Sequence, residues 1–528
     1  MAEHGDIRAA KSDLPRRIER MRQAGRVGEA EAACRAALAS APDDADLHHL
    51  LGRVLIDQGR NAEAEASLRR AIRQAPRLAA AHADLGRALW LSNRHDEAAA
   101  ACRRAIAIDP GHRIAHNVLG HVLRTLGDFA AAEAVLRQAI AIAPGTADPH
   151  SNLGLLYADQ GRRDEAIACF EQALAAEPES AAAHYYLSLH KPVAPGDPRV
   201  AAMLDLLATR RFTPEARCFL LFALGRAFDR LGEHDRAFGF LEEANRSRRK
   251  MFEFDIAAEI QAVERTIAAF PAARLTETIG CADALPIFVA GLPRSGKSLI
   301  EGLLTRHPRV RGAGESYAMI RIALQLPKRL GSDRPFPECV ATLDPPRARG
   351  LGAEYVAELR RRLPEAARTV DTRPSNLRLA GLIRLLLPQA RVILCRRDPR
   401  DLGLQCYFQN YSGLAYSFDL EEMAKFTLAN DRLMAHWRAA LPDWILEVRY
   451  EDLVRDPVAE SRRIYAFCGL DWDAAFPGIG AAPAGAAFPV PLHDAEIGHW
   501  RHYARQLEPL IAALAAGGAE AAAAARDG

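Results

Sequence analysis

No stretch of eighteen apolar residues occurs in the chain, so no helix is expected to cross a membrane. No C-x-x-C pair occurs either: the nine cysteines, at 34, 102, 169, 218, 281, 339, 395, 406 and 468, stand apart from one another. Scattered in that way they suggest neither a disulfide framework nor a metal knuckle, and a reduced, cytoplasmic protein is expected. An excess of one charge is missing too. Lysine and arginine number 69 against 67 aspartates and glutamates, and the net charge of +2 gives no argument for nucleic acid as a partner. His499 and His502 are spaced like two metal ligands but have no third ligand nearby, so a surface helix is expected there and no metal. The opening Met1-Ala2-Glu3-His4-Gly5-Asp6 lacks the apolar core of a secretory signal. At 528 residues the chain is too long for a single core, and two or three domains are expected.

What the chain does contain, first, is repetition. Gly25, Gly59, Asn93, Gly127 and Gly161 recur at a constant period of 34, and Pro42, Pro76, Pro110, Pro144 and Pro178 recur in the same register. A second glycine, at Gly52, Gly86, Gly120 and Gly154, precedes the turn position by seven residues. Each unit therefore predicts two helices: one with a small residue for close packing, a turn, and a second helix stopped by proline. Residues 11–180 resemble five tetratricopeptide repeats, whose period is 34. Such solenoids bind or scaffold along a concave groove. A proline-rich connector, His190 to Pro198, ends the pattern, and Gly225 with Gly232 starts a degenerate repeat whose second helix carries Ala237 and Ala244. The expected division is a repeat array over 1–190, a helical connector over 191–280, an α/β domain over 281–512 and an Ala/Gly-rich tail over 513–528.

The α/β domain opens on Pro286-Ile287-Phe288-Val289-Ala290-Gly291-Leu292-Pro293-Arg294-Ser295-Gly296-Lys297-Ser298. This predicts a buried strand, a glycine-bearing turn and a helix start, an arrangement that aims backbone N–H groups at one anion. Residues 291–298 match G-x-x-x-x-G-K-[ST]. Later apolar runs, 390–395 and 444–448, alternate with helical stretches, which implies a parallel sheet with ligands at the carboxyl ends of its strands. Three constellations follow. Gly312-Ala313-Gly314-Glu315 sets a carboxylate between the phosphate turn and the next helix, with glycines that let a substrate come close. Such a carboxylate is usually a solvated loop residue; just downstream of an anion loop it is also a candidate general base. Cys395-Arg396-Arg397-Asp398-Pro399-Arg400-Asp401 ends a strand with guanidinium groups suited to a second phosphate, unless Arg397–Asp401 or Arg400–Asp398 simply pair. Arg449-Tyr450-Glu451-Asp452-Leu453 ends another strand and starts a helix, with Asp452 as the expected cap.

Taken in order, P-I-F-V-A-G-L-P-R-S-G, H-P-x-V-x-G-A-G-E, C-R-R-D-P and R-Y-E-D-L-V-x-D-P resemble the sulfotransferases that use 3′-phosphoadenosine 5′-phosphosulfate (PAPS). The resemblance is to the bacterial group with N-terminal tetratricopeptide repeats, related to tyrosylprotein sulfotransferases. It implies a P-loop-like fold, a nucleotide sulfate donor and no metal; the acceptor stays open between protein tyrosine, glycan, lipid and small alcohol, with the five-unit array favouring a protein or other macromolecule bound with its help. It implies Glu315 and Arg294 as catalytic groups, with Lys297 expected beside them because it, or Arg373, can restore the charge of the family lysine missing at Thr372. It places the donor against Arg294, Ser295, Gly296, Lys297, Ser298, Arg397, Gln405 and Tyr450. Four positions depart from the family: Lys297 and Ser298 replace its threonines, Thr372 stands where it has lysine, Gln405 where it has serine, and His499 where it has another basic residue. An ATP/Mg²⁺-dependent kinase or nucleotidase, and a repeat scaffold with a decayed catalytic half, stay open beside the sulfotransferase.

Overall fold

The computed structural model describes residues 14–473 and 497–527, with side chains as far as 517; the opening Met1–Asp6 segment and Gly528 lie outside them. The chain divides into two compact units, Met1–Ala223 and Leu224–Gly528.

The first unit is the expected series of helix pairs. Ala45–Asp57 with Asn61–Gln74, Ala79–Leu91 with His95–Ile108, Arg113–Leu126 with Phe129–Ile142, and Ala147–Asp159 with Arg163–Ala176 repeat in register. The second glycine of each pair lies against a side chain sixteen residues on. A β-carbon would stand 2.6 Å from Leu68 at Gly52, 2.3 Å from Cys102 at Gly86, 2.5 Å from Leu136 at Gly120 and 2.5 Å from Phe170 at Gly154. The turn positions are left-handed, with φ from +60° at Asn93 to +79° at Gly127, which is why glycine or asparagine recurs there.

Two further period-34 devices escaped the sequence analysis. Arg60, Arg94 and Arg162 stand at the N-terminal boundary of each second helix without capping it. Each bonds the glutamate three residues on and one 29 residues back, Arg60 Nη1 reaching Glu31 at 2.8 Å and Arg94 Nη1 reaching Glu65 at 2.5 Å. Asp128 takes this place in one unit and caps its helix by accepting from Ala131 N–H. His48, His82, His150 and His184 each set Nε2 2.8–3.3 Å from the carbonyl of the proline six residues earlier.

In the second unit the degenerate repeat keeps the same geometry: a β-carbon on Gly225 would lie 2.6 Å from Leu241, Gly232 has φ +77°, and Ala237 and Ala244 are buried. Beyond it lies a five-stranded sheet of order β2-β3-β1-β4-β5, with every pairing parallel. The strands are β1 (Pro286–Ala290), β2 (Val310–Gly314), β3 (Arg368–Asp371), β4 (Arg391–Arg396) and β5 (Ile445–Arg449). Alternate residues serve opposite faces. Ile287, Val289, Val370, Ile393 and Val448 share a core with the helices Lys297–Thr305 and Pro457–Phe467. Phe288 points the other way and stacks on Tyr355 with centroids 5.5 Å apart. Burial on both faces is what apolar, poorly alternating strands require. Residues 513–527, expected as a tail, continue the helix Glu508–Asp527.

Candidate active site at the strand ends

Strand order decides which motifs meet. β1 is flanked by β3 and β4, so the loop after β1 sits beside whatever ends those strands. β4 runs in register with β1, Ala290 opposite Leu394, and leads directly into Arg397. β5 adjoins β4 and is followed by Tyr450; β2 adjoins β3 and is followed by Glu315. Five strand ends thus place five sequence motifs in one row.

The loop itself is strained where it must bend. Arg294 has φ +65° and Gly296 φ +99°. Gly296 precedes the helix Lys297–Thr305 and offers no side-chain cap, leaving the first N–H groups of that helix for an anion. A β-carbon on Gly296 would lie 2.8 Å from the Tyr450 ring, so glycine is required by contact as well as by conformation. Ser295 is 1% exposed, and its hydroxyl has no hydrogen-bond partner among the described residues. A buried hydroxyl left in this way fits a loop built to receive an anion.

Arg397 is 8% exposed and lies over the Tyr450 ring at 4.3 Å, while its Nη1 donates to the Arg294 carbonyl at 3.1 Å. Arg294 is exposed, and its Nη2 reaches Gln405 Oε1 at 3.4 Å. Arg294, Gly296, Arg397, Gln405 and Tyr450 are therefore one cluster. Arg400 pairs with Asp398 at 2.6 Å, as the plain alternative expected, and the Arg397 charge acts on Asp401. Asp401 also accepts the backbone N–H groups of Gly498 and Trp500, at 2.6 and 2.9 Å.

Lys297 is 8% exposed and turns its amine back to the Leu292 carbonyl at 3.0 Å; burial holds that amine below the ordinary lysine range. Ser298 is exposed. Glu315 is exposed two strands from β1, roughly 10 Å by ordinary strand spacing. Its carboxylate makes no hydrogen bond to the loop among the described residues, while its carbonyl accepts from Arg373 at 3.1 Å. Thr372 is buried, so Arg373, over the Tyr317 ring at 4.3 Å, is the cation at this strand end.

Two expectations need correction, at Asp452 and Gly312, and the helix expected at His499 and His502 is a 3-10 helix. Asp452 does not cap its helix: Arg449 holds that position without a side-chain bond, because the helix Tyr450–Arg455 starts directly at the strand end. Gly312 makes room for a protein side chain, since a β-carbon there would stand 2.7 Å from Glu301 Oε1. His499 and His502 lie in a short 3-10 helix, His499–Tyr503, where Asp229 accepts from His499 Nε2 at 2.8 Å and from the Tyr503 hydroxyl at 2.6 Å. Burial alone would raise the Asp229 pKa, and these bonds outweigh it and hold it low.

Sequence reasoning also missed Glu301, buried on the helix Lys297–Thr305, whose carboxyl burial pushes up to about 7. Asp371, ending β3, is likewise raised to about 6 by burial although it accepts from Tyr355, Asn376 and the Arg373 N–H. Among the described residues, no helix is long and apolar enough to cross a membrane, and no group of three His, Cys, Asp or Glu side chains is placed to hold a metal.

Comparison with known proteins finds matches within each unit. Residues 286–474 match the Sulfotransferase family, and residues 49–113 and 112–179 match Tetratricopeptide repeat families. The repeat matches fall in the first compact unit and the sulfotransferase match in the second, so the chain resembles a repeat array followed by a sulfotransferase-family domain. It is 28% identical over 288 residues to an uncharacterized protein of Aquifex aeolicus (strain VF5), covering 52% of this chain and 38% of that one. It is 26% identical over 200 residues to protein-tyrosine sulfotransferase A of Caenorhabditis elegans, covering 35% of this chain and 50% of that one. The protein-tyrosine sulfotransferase of Drosophila melanogaster is 26% identical over 197 residues, 36% of this chain and 39% of that one. The chain thus spans half or less of the length of these relatives.

Proposed function

We propose that the chain transfers a sulfuryl group from PAPS to a hydroxyl acceptor, with the repeat array helping to hold a macromolecular acceptor. One observation carries this reading: an uncapped helix N-terminus behind the 291–298 loop and a buried arginine, Arg397, stand on adjacent strand ends. That is one site for each of two phosphate groups on a single nucleotide. The donor supplies an activated sulfuryl group with a phosphate as its leaving group. The N–H groups of 295–298 would hold the 5′ side, Arg397 the 3′-phosphate, and Arg294, steadied by Gln405, the sulfuryl oxygens. Glu315 takes the acceptor's proton as the acceptor oxygen bonds sulfur, and the bridging oxygen departs with its electron pair on the nucleotide. Lys297 would leave the Leu292 carbonyl to neutralise that oxygen. Fixed donors aimed at developing charge do most of the work in such displacements. Two relatives are named protein-tyrosine sulfotransferases, so a tyrosine-bearing peptide is the acceptor to try first.

A kinase is the second reading. The Lys297-Ser298 pair favours it, as does Asp371 ending the strand beside β1, where a nucleoside triphosphatase holds Mg²⁺. Against it, the Asp371 carboxylate is buried under three donors. Calorimetric titration separates the two. 3′-Phosphoadenosine 5′-phosphate should bind without metal, ATP with Mg²⁺ should not, and Arg397→Ala should weaken the former by about 1.5–3 kcal/mol, the size of a charge-assisted hydrogen bond. Tight Mg²⁺-dependent ATP binding would reverse the assignment, and binding of neither would favour a decayed scaffold.

A further inference from the structure

We infer that Glu301 is a positioning residue for the catalytic carboxylate: it holds the bulged end of β2, and with it Glu315, against the helix that begins at the phosphate loop. The inference rests on Glu315 being the general base, as proposed above. Glu301 is 5% exposed and stands one helical turn beyond Lys297, on the same face. Its Oε1 accepts the Gly314 N–H at 3.2 Å, and its Oε2 accepts the Thr372 hydroxyl at 3.4 Å. One carboxyl group therefore ties together the ends of β2 and β3.

The backbone around it is shaped for this contact. The register of β2 on β3 shifts between Gly312 and Gly314, which bends the strand where Ala313 is inserted. Gly312 leaves room for Oε1, which a β-carbon would approach to 2.7 Å, and Gly314 presents its N–H from a φ of +63°. The Thr372 N–H then closes onto the Gly314 carbonyl at 3.0 Å, and the next residue in the chain is Glu315.

Stability does not account for a carboxyl group here. Burying one without a cation is costly, and an apolar side chain of similar volume would remove that cost. What the carboxyl adds is a fixed distance. A single helix carries both the loop cation and the anchor of the base, so the gap between Glu315 and the phosphate loop is set by rigid structure on both sides. A base displaced by about 1 Å loses on the order of 100-fold in rate.

Four full-length proteins test this: wild type, Glu301→Leu, Glu301→Gln, and Glu315→Gln as the control for the underlying reading. Turnover is measured with PAPS and a tyrosine-bearing peptide, and hydrogen exchange is followed over 310–317. Glu301→Leu should melt no lower than wild type, keep its donor KM, lose roughly 10- to 100-fold in kcat, and exchange the Gly314 amide at least tenfold faster. Glu301→Gln keeps an acceptor for Gly314 N–H and should restore most of both. Wild-type turnover and exchange in the leucine variant, or a glutamine variant as impaired as the leucine one, overturns the inference. If the leucine variant does not fold, Thr372→Val, which removes only the second bond, is judged on the same two readouts. If the wild type does not turn over, or Glu315→Gln turns over normally, the general-base reading fails, while exchange still decides whether Glu301 holds the β2 end.

Discussion

Lys297 concentrates the question of donor chemistry in one side chain. The family's threonine at this position would give a hydroxyl; lysine gives a cation that the fold then buries, with its amine on the Leu292 carbonyl. Burial lowers its pKa in the folded chain, so the folded state binds the proton less well than the unfolded state. The cost is therefore present at neutral pH and is relieved as pH rises through the folded pKa toward the unfolded value. A buried cation kept at that cost is expected to act during the reaction. Lys297→Thr should leave thermal stability at pH 7 equal or higher, leave 3′-phosphoadenosine 5′-phosphate affinity nearly unchanged, and lower turnover. Calorimetry and initial rates on the same preparations check this. Loss of ATP affinity together with Mg²⁺ dependence in the variant would support the kinase instead.

The elements of the array are held by position-specific glycines, and the two kinds predict opposite effects. Gly154 lies in the helix Ala147–Asp159 with the Phe170 ring 2.5 Å from where a β-carbon would stand. Gly154→Ala gains roughly 1 kcal/mol of helix propensity but forces a closed interface apart at about 1–3 kcal/mol, so the melting temperature should fall. Gly28 is also helical but has nothing within 4 Å of a β-carbon, so Gly28→Ala should raise it. Two melts with the same sign would mean that the close packing is not what the repeat glycine provides. The repeat glycines were legible because a local period reports local packing. So were the ends of β1, β4 and β5, whose motifs close apolar runs, whereas β2 (Val-Arg-Gly-Ala-Gly) and β3 (Arg-Thr-Val-Asp) are too short and polar to announce themselves. The order in which strands adjoin was not legible, because it is fixed by contacts between distant segments: Arg294 and Gln405 are 111 residues apart and meet only because β4 lies beside β1. Glu301 was hidden for the opposite reason. A glutamate in an amphipathic nine-residue helix looks solvated until β2 and β3 are seen to close over it.

For the whole chain, the question is whether the array is needed for folding or for recognition. Its long-range ties run between adjacent units: Arg22 to Asp57, His49 to Asp84, Asn117 to Asn152 and Arg124 to Asp159, each pair 35 residues apart. A solenoid built from neighbour contacts can be shortened without a global loss of structure. A cut after residue 180 removes Phe170, which stacks on His190 and packs against Tyr186, yet keeps the Tyr185, Phe219 and Phe222 cluster that follows. Deletion of residues 1–180 should therefore give a soluble protein that binds 3′-phosphoadenosine 5′-phosphate with the full-length affinity. The same protein should still sulfate a short tyrosine peptide at excess concentration and lose rate on a macromolecular acceptor, as the proposed recognition role of the array requires. Gel filtration, calorimetry and the two acceptor assays decide it. An insoluble product would make the array part of the fold of the catalytic half, and equal rates on both acceptors would remove recognition as its role.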